Sequence, residues 1–347
     1  MKTNRLSNMV RFAHNRLSWR TVMVLSIPAL YWVAFKDVDI RDILSALRRW
    51  TMTDILLFGL LNVLVIAAMC LRLWIILHRC GYRVPMRCLA AYRIGANAIS
   101  YITPGPHFGG EPFQIHMLIR SHRLPIEHAA ASVATDRAIE MIANLGLLCF
   151  GGLYLLHQSY AGAIFKIQFI AFLLLTFTSA CVFLKAVADG RTPLSRFTRW
   201  MRVVLKLSAR HSSQFAFLRA GEIKAGEILK QPQPILWLYG GCALGQWFLM
   251  AAEFWFIYAV IGLPLQPWEL VAVVVAARLA FLLPLPGALG ALEASQMLIL
   301  GSLSLAPEAG LAACIIIRAR DHLTVGAGVG LASFWLGKRW ASNNTGL

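Results

Sequence analysis

The chain has 347 residues, of which 58% are hydrophobic and only 14% charged. Ordinary soluble domains are roughly 45–50% apolar and about 25% charged, so this composition excludes a single soluble domain, a disordered chain and a disulfide scaffold. The net charge is +17. Without a basic soluble domain to bind nucleic acid, that excess fits the Lys- and Arg-rich cytoplasmic loops of a polytopic membrane protein. The apolar runs are continuous over about 20 residues, the length of a membrane helix, and lack the alternation of a membrane β-barrel.

The N-terminus carries Lys2, Arg5, Arg11, Arg16 and Arg20 with no clear small-residue cleavage site. It reads as an uncleaved first span at about 19–35, followed by an amphipathic stretch, 36–50. Span 2 covers 54–77. Segment 88–120 is apolar but broken by Thr103-Pro104-Gly105-Pro106 and Gly109-Gly110-Glu111-Pro112, which stop a helix within the membrane. Spans 3 and 4 cover 127–156 and 162–188. A polar segment, 189–234, leads to span 5 at 235–262. A second broken segment, 268–305, centres on Pro284-Leu285-Pro286-Gly287, and span 6 covers 307–337. The seven cysteines occur singly, with no CxxC, and read as packing residues.

The broken segments belong to an internal repeat. At an offset of 182, Pro104 meets Pro286, Gly105 meets Gly287, Glu111 meets Glu293 and Pro125 meets Pro307. After one deletion the offset is 181, and Arg137 meets Arg318 while Glu140 matches Asp321 in charge. The N-terminus, the loops at 78–87 and 120–123, segment 189–234 and the C-terminal Lys338-Arg339 are basic and are placed inside. The loops at 157–161, 263–268 and 303–306 lack Lys and Arg and are placed outside. Arg41, Arg48 and Arg49 in the 36–50 stretch fit this scheme least well. Spans 2 and 5 then run in opposite directions, which makes the repeats inverted.

The expected architecture is an all-α polytopic membrane protein with about six full spans, two re-entrant broken-helix hairpins and inverted-topology repeats. Its parts are an N-terminal span and amphipathic helix (1–53), repeat one (54–160, hairpin 88–120), a connector span with a basic cytoplasmic segment (161–234), and repeat two (235–340, hairpin 268–305). Broken helices meeting near the midplane of inverted repeats are a transporter design.

Intramembrane charges carry most of the chemical information. Arg72, Arg93, Glu111, Asp136, Arg137 and Glu140 lie in repeat one, and Glu253, Arg278, Glu293, Arg318, Arg320 and Asp321 in repeat two. Six arginines and six carboxylates sum to zero, so the +17 lies elsewhere. Twelve unpaired charges at about 2.5–3.5 kcal/mol each would cost roughly 30–40 kcal/mol, more than a fold can carry. They must pair or line a wet cavity. Helical spacing pairs Arg137 with Glu140 and Arg318 with Asp321, both i,i+3. Arginine also suits a phosphate through its planar fork.

In Pro104-Gly105-Pro106-His107-Phe108-Gly109-Gly110-Glu111, the prolines and glycines end one half-helix and let backbones approach. The next half-helix would start near Glu111 with its positive dipole end at the break. Pro286-Gly287, Gly290 and Glu293 can do the same from the other side. The substrate-binding candidates are therefore Arg93, Pro104, Gly105, His107, Gly109, Gly110, Glu111, Arg137, Glu140, Arg278, Pro286, Gly287, Gly290, Glu293, Arg318 and Asp321. No metal or cofactor is expected, because His107, His116, His122 and His128 lack a metal-binding spacing. Arg196, Arg199, Arg202, Lys206 and Arg210 form one helical stripe beside Trp200, Val203, Val204 and Leu207. That pattern reads as a helix on an anionic lipid surface.

The paired elements TPGPHFGGEPFQ and LPLPGALGALE resemble those of the membrane region of the lysylphosphatidylglycerol synthase/flippase family. The resemblance covers about 20–337. It implies a flippase-like region and a stand-alone member, since the sequence ends about ten residues after span 6 and no soluble aminoacyl-transferase domain is expected. It further implies phospholipid, hopanoid or lipid-linked glycan substrates. Family-like roles carry over to the two Pro-Gly-Glu elements and to Arg137, Glu140, Arg318 and Asp321.

The expected function is an inner-membrane lipid flippase or transporter, bacterial, with both termini cytoplasmic and a headgroup passing between the two breaks. No nucleotide-binding motif is present, so movement would be downhill, ion-coupled or driven by a partner. Two alternatives stand beside it. One is a lipid-modifying enzyme such as a polyprenyl-phosphate glycosyltransferase using Asp37 and Asp39. The other is a non-transporting scaffold of a lipid-synthesis complex. A homo-oligomer or a lipid-synthesis partner is compatible with each.

Overall fold

A computed structural model describes residues 45, 48–103, 109–157, 163–204, 212–283 and 285–344. The first expected span, Asp37, Asp39, Pro104, Gly105, His107, Lys206 and Arg210 lie outside the described residues. Within them every regular element is helical. The helices are α1 (Met52–Arg79), α2 (Met86–Ile102), α3 (Glu111–His122), α4 (Ile126–His157), α5 (Ala163–Ala188), α6 (Pro193–Val204), α7 (Ser212–Leu229), α8 (Gln233–Ile261), α9 (Pro267–Leu282), α10 (Ala291–Ser302) and α11 (Pro307–Asn344).

Local chemistry sets these boundaries. Thr51 and Asp54 cap each other at the start of α1, as do Gln266 and Glu269 at α9. α2 stops at Thr103 and α9 at Leu283, each with extended backbone. Each precedes a proline, which disfavours a helical conformation at that position. α4 follows Pro125, and α11 begins on Pro307. The four helices α1–α4, of 28, 17, 12 and 32 residues, recur as α8–α11, of 29, 16, 12 and 38.

Each set of four has its own apolar core. Leu73, Leu77, Leu89, Tyr92, Leu118 and Val133 pack together in the first, and Phe254, Ile257, Tyr258, Val273, Leu292 and Ile317 in the second. The sets are joined by α1 against α8, α2 against α11, and α4 against α9. The outer surface is apolar: Phe248 is 75% exposed, Leu175 68% and Leu323 76%. Such a surface requires a hydrocarbon solvent. Three stretches among the described residues, Met52–Arg79, Ala171–Ala188 and Gln233–Ile261, are long and apolar enough to cross a membrane. The chain is an all-α, polytopic membrane protein.

The polar segment holds two helices where the stripe 195–210 pointed to one. α7 packs on α4 and α5, and α6 lies against α7. Buried Glu222 of α7 accepts the N–H groups of Leu194 (2.7 Å) and Ser195 (2.9 Å) and the Ser195 hydroxyl. It thus satisfies donors that a helix start leaves open. On α6, Phe197 and Trp200 stack at 6.0 Å and are exposed beside exposed Arg196 and Arg199. Glu222→Ala is expected to free this helix start at a local cost of about 1–2 kcal/mol. Faster amide exchange at Leu194 and Ser195, with α1 and α8 unchanged, is the check.

Candidate functional site

The long helix α4 carries Asp136, Arg137 and Glu140 on one face. Arg72 of α1 reaches Asp136 Oδ1 at 2.6 Å, and Arg93 of α2 reaches Oδ2 at 3.0 Å. Arg72, Arg93 and Asp136 are fully buried. Glu140 Oε2 lies 3.0 Å from Arg137, 3.1 Å from Arg72 and 3.5 Å from Arg93. Gln246 of α8 donates to Glu140 Oε1 at 3.3 Å and accepts from Arg72 at 3.2 Å. Arg137 Nε also meets Glu111 Oε1 at 3.0 Å, and Glu111 Oε2 accepts the Gly109 N–H at 2.8 Å. Three guanidinium groups and three carboxylates therefore balance within the first four-helix set.

The same device recurs in the second four-helix set. Arg318 of α11 grips Glu293 of α10 with two contacts, 2.8 and 3.1 Å. Glu111 and Glu293 each sit in the first turn of a short helix, where the dipole favours a carboxylate. Each is held by an arginine from the following long helix. Arg318 also donates to the Tyr101 hydroxyl at 3.0 Å and to the carbonyls of Gly287 and Ala288. Tyr101, at the end of α2, thereby bridges the first four-helix set to the turn before α10. Gly287 adopts φ +54°, and a Cβ there would lie 2.7 Å from the Tyr101 ring, so both the turn and the contact favour glycine.

The expected Arg318–Asp321 pair is replaced by different partners. The Arg318 fork is occupied by Glu293, and Asp321 pairs with Arg320 at 2.9 Å. Arg320 also meets Glu253 at 2.5 Å and donates to Asn62 of α1 at 3.0 Å. The i,i+3 spacing places Arg318 near Asp321 but does not decide which carboxylate matches a planar fork.

Between the two four-helix sets lies a cavity of about 270 Å³. Its walls come from α1, α2 and α4 of one set and from α8, α9 and α11 of the other. Arg137, Glu140, Arg278 and Asp321 line it, as do Arg320, Glu253, Asn97 and Asn144. Arg93, Glu111, Glu293 and Arg318 belong to the surrounding ion pairs. Gly109, Gly110, Pro286, Gly287 and Gly290 form the turns that lead into α3 and α10. Asn62, Tyr101, Trp247, Gln246 and Met250 also line the cavity and were missing from the sequence-based set. A polar Gln246 and Asn62 inside apolar helices were the available signal. Among the described residues no three His, Cys, Asp or Glu side chains gather as a metal-binding group.

Residues 21–328 match the family model described as the lysylphosphatidylglycerol synthase TM region. A UPF0104 membrane protein of Methanothermobacter thermautotrophicus is 23% identical over 315 residues, covering 85% of each chain. No solved structure matches the chain. The matched family region is a membrane region rather than a synthase domain, and it assigns the chain no enzymatic role.

Proposed function

The chain belongs to the lysylphosphatidylglycerol synthase transmembrane-region family, and from that premise we propose that it is a lipid transporter. A phospholipid, hopanoid or lipid-linked headgroup passes through the central cavity while the tails stay in the bilayer. The carrying observation is the cavity itself. It lies at the junction of two similar four-helix sets, takes equivalent helices from each, and is lined by charge. Its volume, about 270 Å³, is near the roughly 300 Å³ lower bound of small-molecule pockets, a size for a headgroup rather than a whole lipid.

In this reading α1–α4 and α8–α11 are inverted repeats, α2–α3 and α9–α10 are re-entrant hairpins, and the full spans number six. Rocking of one repeat against the other exposes the cavity to alternate sides. The protein sits in a bacterial inner membrane with both termini cytoplasmic. Arg196 and Arg199 face its anionic leaflet, where Phe197 and Trp200 enter the interface.

The test is reconstitution into liposomes containing a headgroup-labelled fluorescent lipid, followed by quenching from outside. Wild type is expected to bring inner-leaflet label to the outside. Val65→Trp, which fills the cavity wall without removing a charge, is expected to fall to the rate of protein-free vesicles. Protein-free rates for wild type would overturn the reading and favour the scaffold alternative.

A further inference from the structure

The charges around the cavity balance overall but not locally. Arg137 is answered by Glu111 and Glu140. Arg320 alone serves two carboxylates, Glu253 and Asp321. Arg278 has no carboxylate within 4.0 Å among the described residues. Its hydrogen bond runs to the Met250 sulfur, at 2.7 Å, a weak acceptor for a group with five donors. Trp247 lies 4.3 Å from its guanidinium carbon and Phe281 5.9 Å. Aromatic faces stabilise a cation with no carboxylate in contact while leaving the donor edge of the guanidinium open to a ligand.

The cavity thus carries one cation without a contacting carboxylate, Arg278, near a group with one carboxylate in excess, Glu253, Arg320 and Asp321; Glu140 and Glu253 act on Arg278 only from beyond 4.0 Å. Met250, which touches Arg278, and Glu253 are three residues apart on α8, about 4.5 Å along the axis. Resting on the transport reading above, we infer that the cavity receives a zwitterionic headgroup. Its phosphate sits on Arg278 and its primary ammonium against Glu253 and Asp321, sharing these carboxylates with Arg320. A primary ammonium offers three donors to those carboxylates. A quaternary ammonium would instead require an aromatic cage, and the Trp247 and Phe281 rings are taken by Arg278. A headgroup of zero net charge also crosses a membrane potential at no electrical cost.

The experiment is native mass spectrometry of the full chain, offered equal amounts of phosphatidylethanolamine, phosphatidylglycerol and phosphatidylcholine with identical tails. Wild type is expected to retain the ethanolamine lipid about tenfold over the other two, the difference made by one charge-assisted hydrogen bond. Arg278→Gln is expected to lose all three, and Asp321→Asn to hold lipid without the ethanolamine preference. If Arg278→Gln does not fold, Arg278→Lys keeps the charge without the fork and is expected to keep the preference at weaker retention. Undiminished retention by either Arg278 variant overturns the inference, as does a wild type that selects the glycerol or choline lipid. A wild type that selects the glycerol lipid yet transports in liposomes overturns this inference alone. One that neither selects nor transports overturns the transport reading with it.

Discussion

Asp136→Ala is expected to cost about 3–5 kcal/mol, the range for removing one partner of a buried ion pair. Asp136 is fully buried and gives one oxygen each to Arg72 and Arg93, themselves fully buried. Without it, Arg72, Arg93 and Arg137 share Glu140, with Glu111 reaching only Arg137. The cluster then carries one uncompensated charge in a site closed to water. Folds hold about 5–15 kcal/mol in total, so much of the protein should be lost on solubilisation. Thermal unfolding in detergent, followed by size exclusion, is the measurement. The double replacement Asp136→Leu with Arg93→Leu removes one charge of each sign and is expected to recover most of the loss, because a pair replaced by apolar side chains is near neutral. An unchanged melting point for Asp136→Ala would show that the network does not hold α1, α2 and α4 together.

That network also shows how far the sequence could be read. Six arginines and six carboxylates inside apolar segments imply pairing, because unpaired charges in hydrocarbon are too costly. They pair except at Arg278, whose partners among the described residues are a sulfur and aromatic rings. The Arg137–Glu140 contact was legible because i,i+3 neighbours on a helix meet regardless of the fold. Arg318 was not, since its partner Glu293 is 25 residues away and that choice is made by the crossing of α10 and α11. Matching Glu111 with Glu293 and Arg137 with Arg318 across the repeat held the pairing in latent form. Gln246 stands out as a polar residue in an apolar helix, but its partner does not, because its role comes from α8 lying against α4. The helix limits at Thr103 and Leu283 were legible because proline acts on its immediate neighbour. α7 was not, because its burial against α4 and α5 is a tertiary property.

Gly110→Ala is expected to be nearly as damaging, for a reason of space alone. Gly110 has an ordinary φ of −86°, so alanine fits its backbone. A Cβ, however, would lie 2.0 Å from the Ala96 carbonyl oxygen and 2.5 Å from its carbon. Both are backbone atoms of α2, so no rotamer change relieves the contact. The turn into α3 must then withdraw from α2 by about 1.5 Å to reach an ordinary contact. Withdrawal would stretch the 2.9 Å hydrogen bond from Gly110 N–H to Ser100 and displace Glu111 from Arg137, now 3.0 Å away. Overpacking costs about 1–3 kcal/mol, occasionally more, and a carboxylate drawn off its buried partner adds to it. Gly240→Ala is the matched control, because it lies within α8 where an added Cβ would meet nothing within 4 Å. It should leave the melting temperature unchanged or slightly raised, as alanine is the better helix former. Equal melting temperatures for the two variants would mean that α3 can slide on α2 without loss, and the Glu111–Arg137 pair would then not depend on a fixed break.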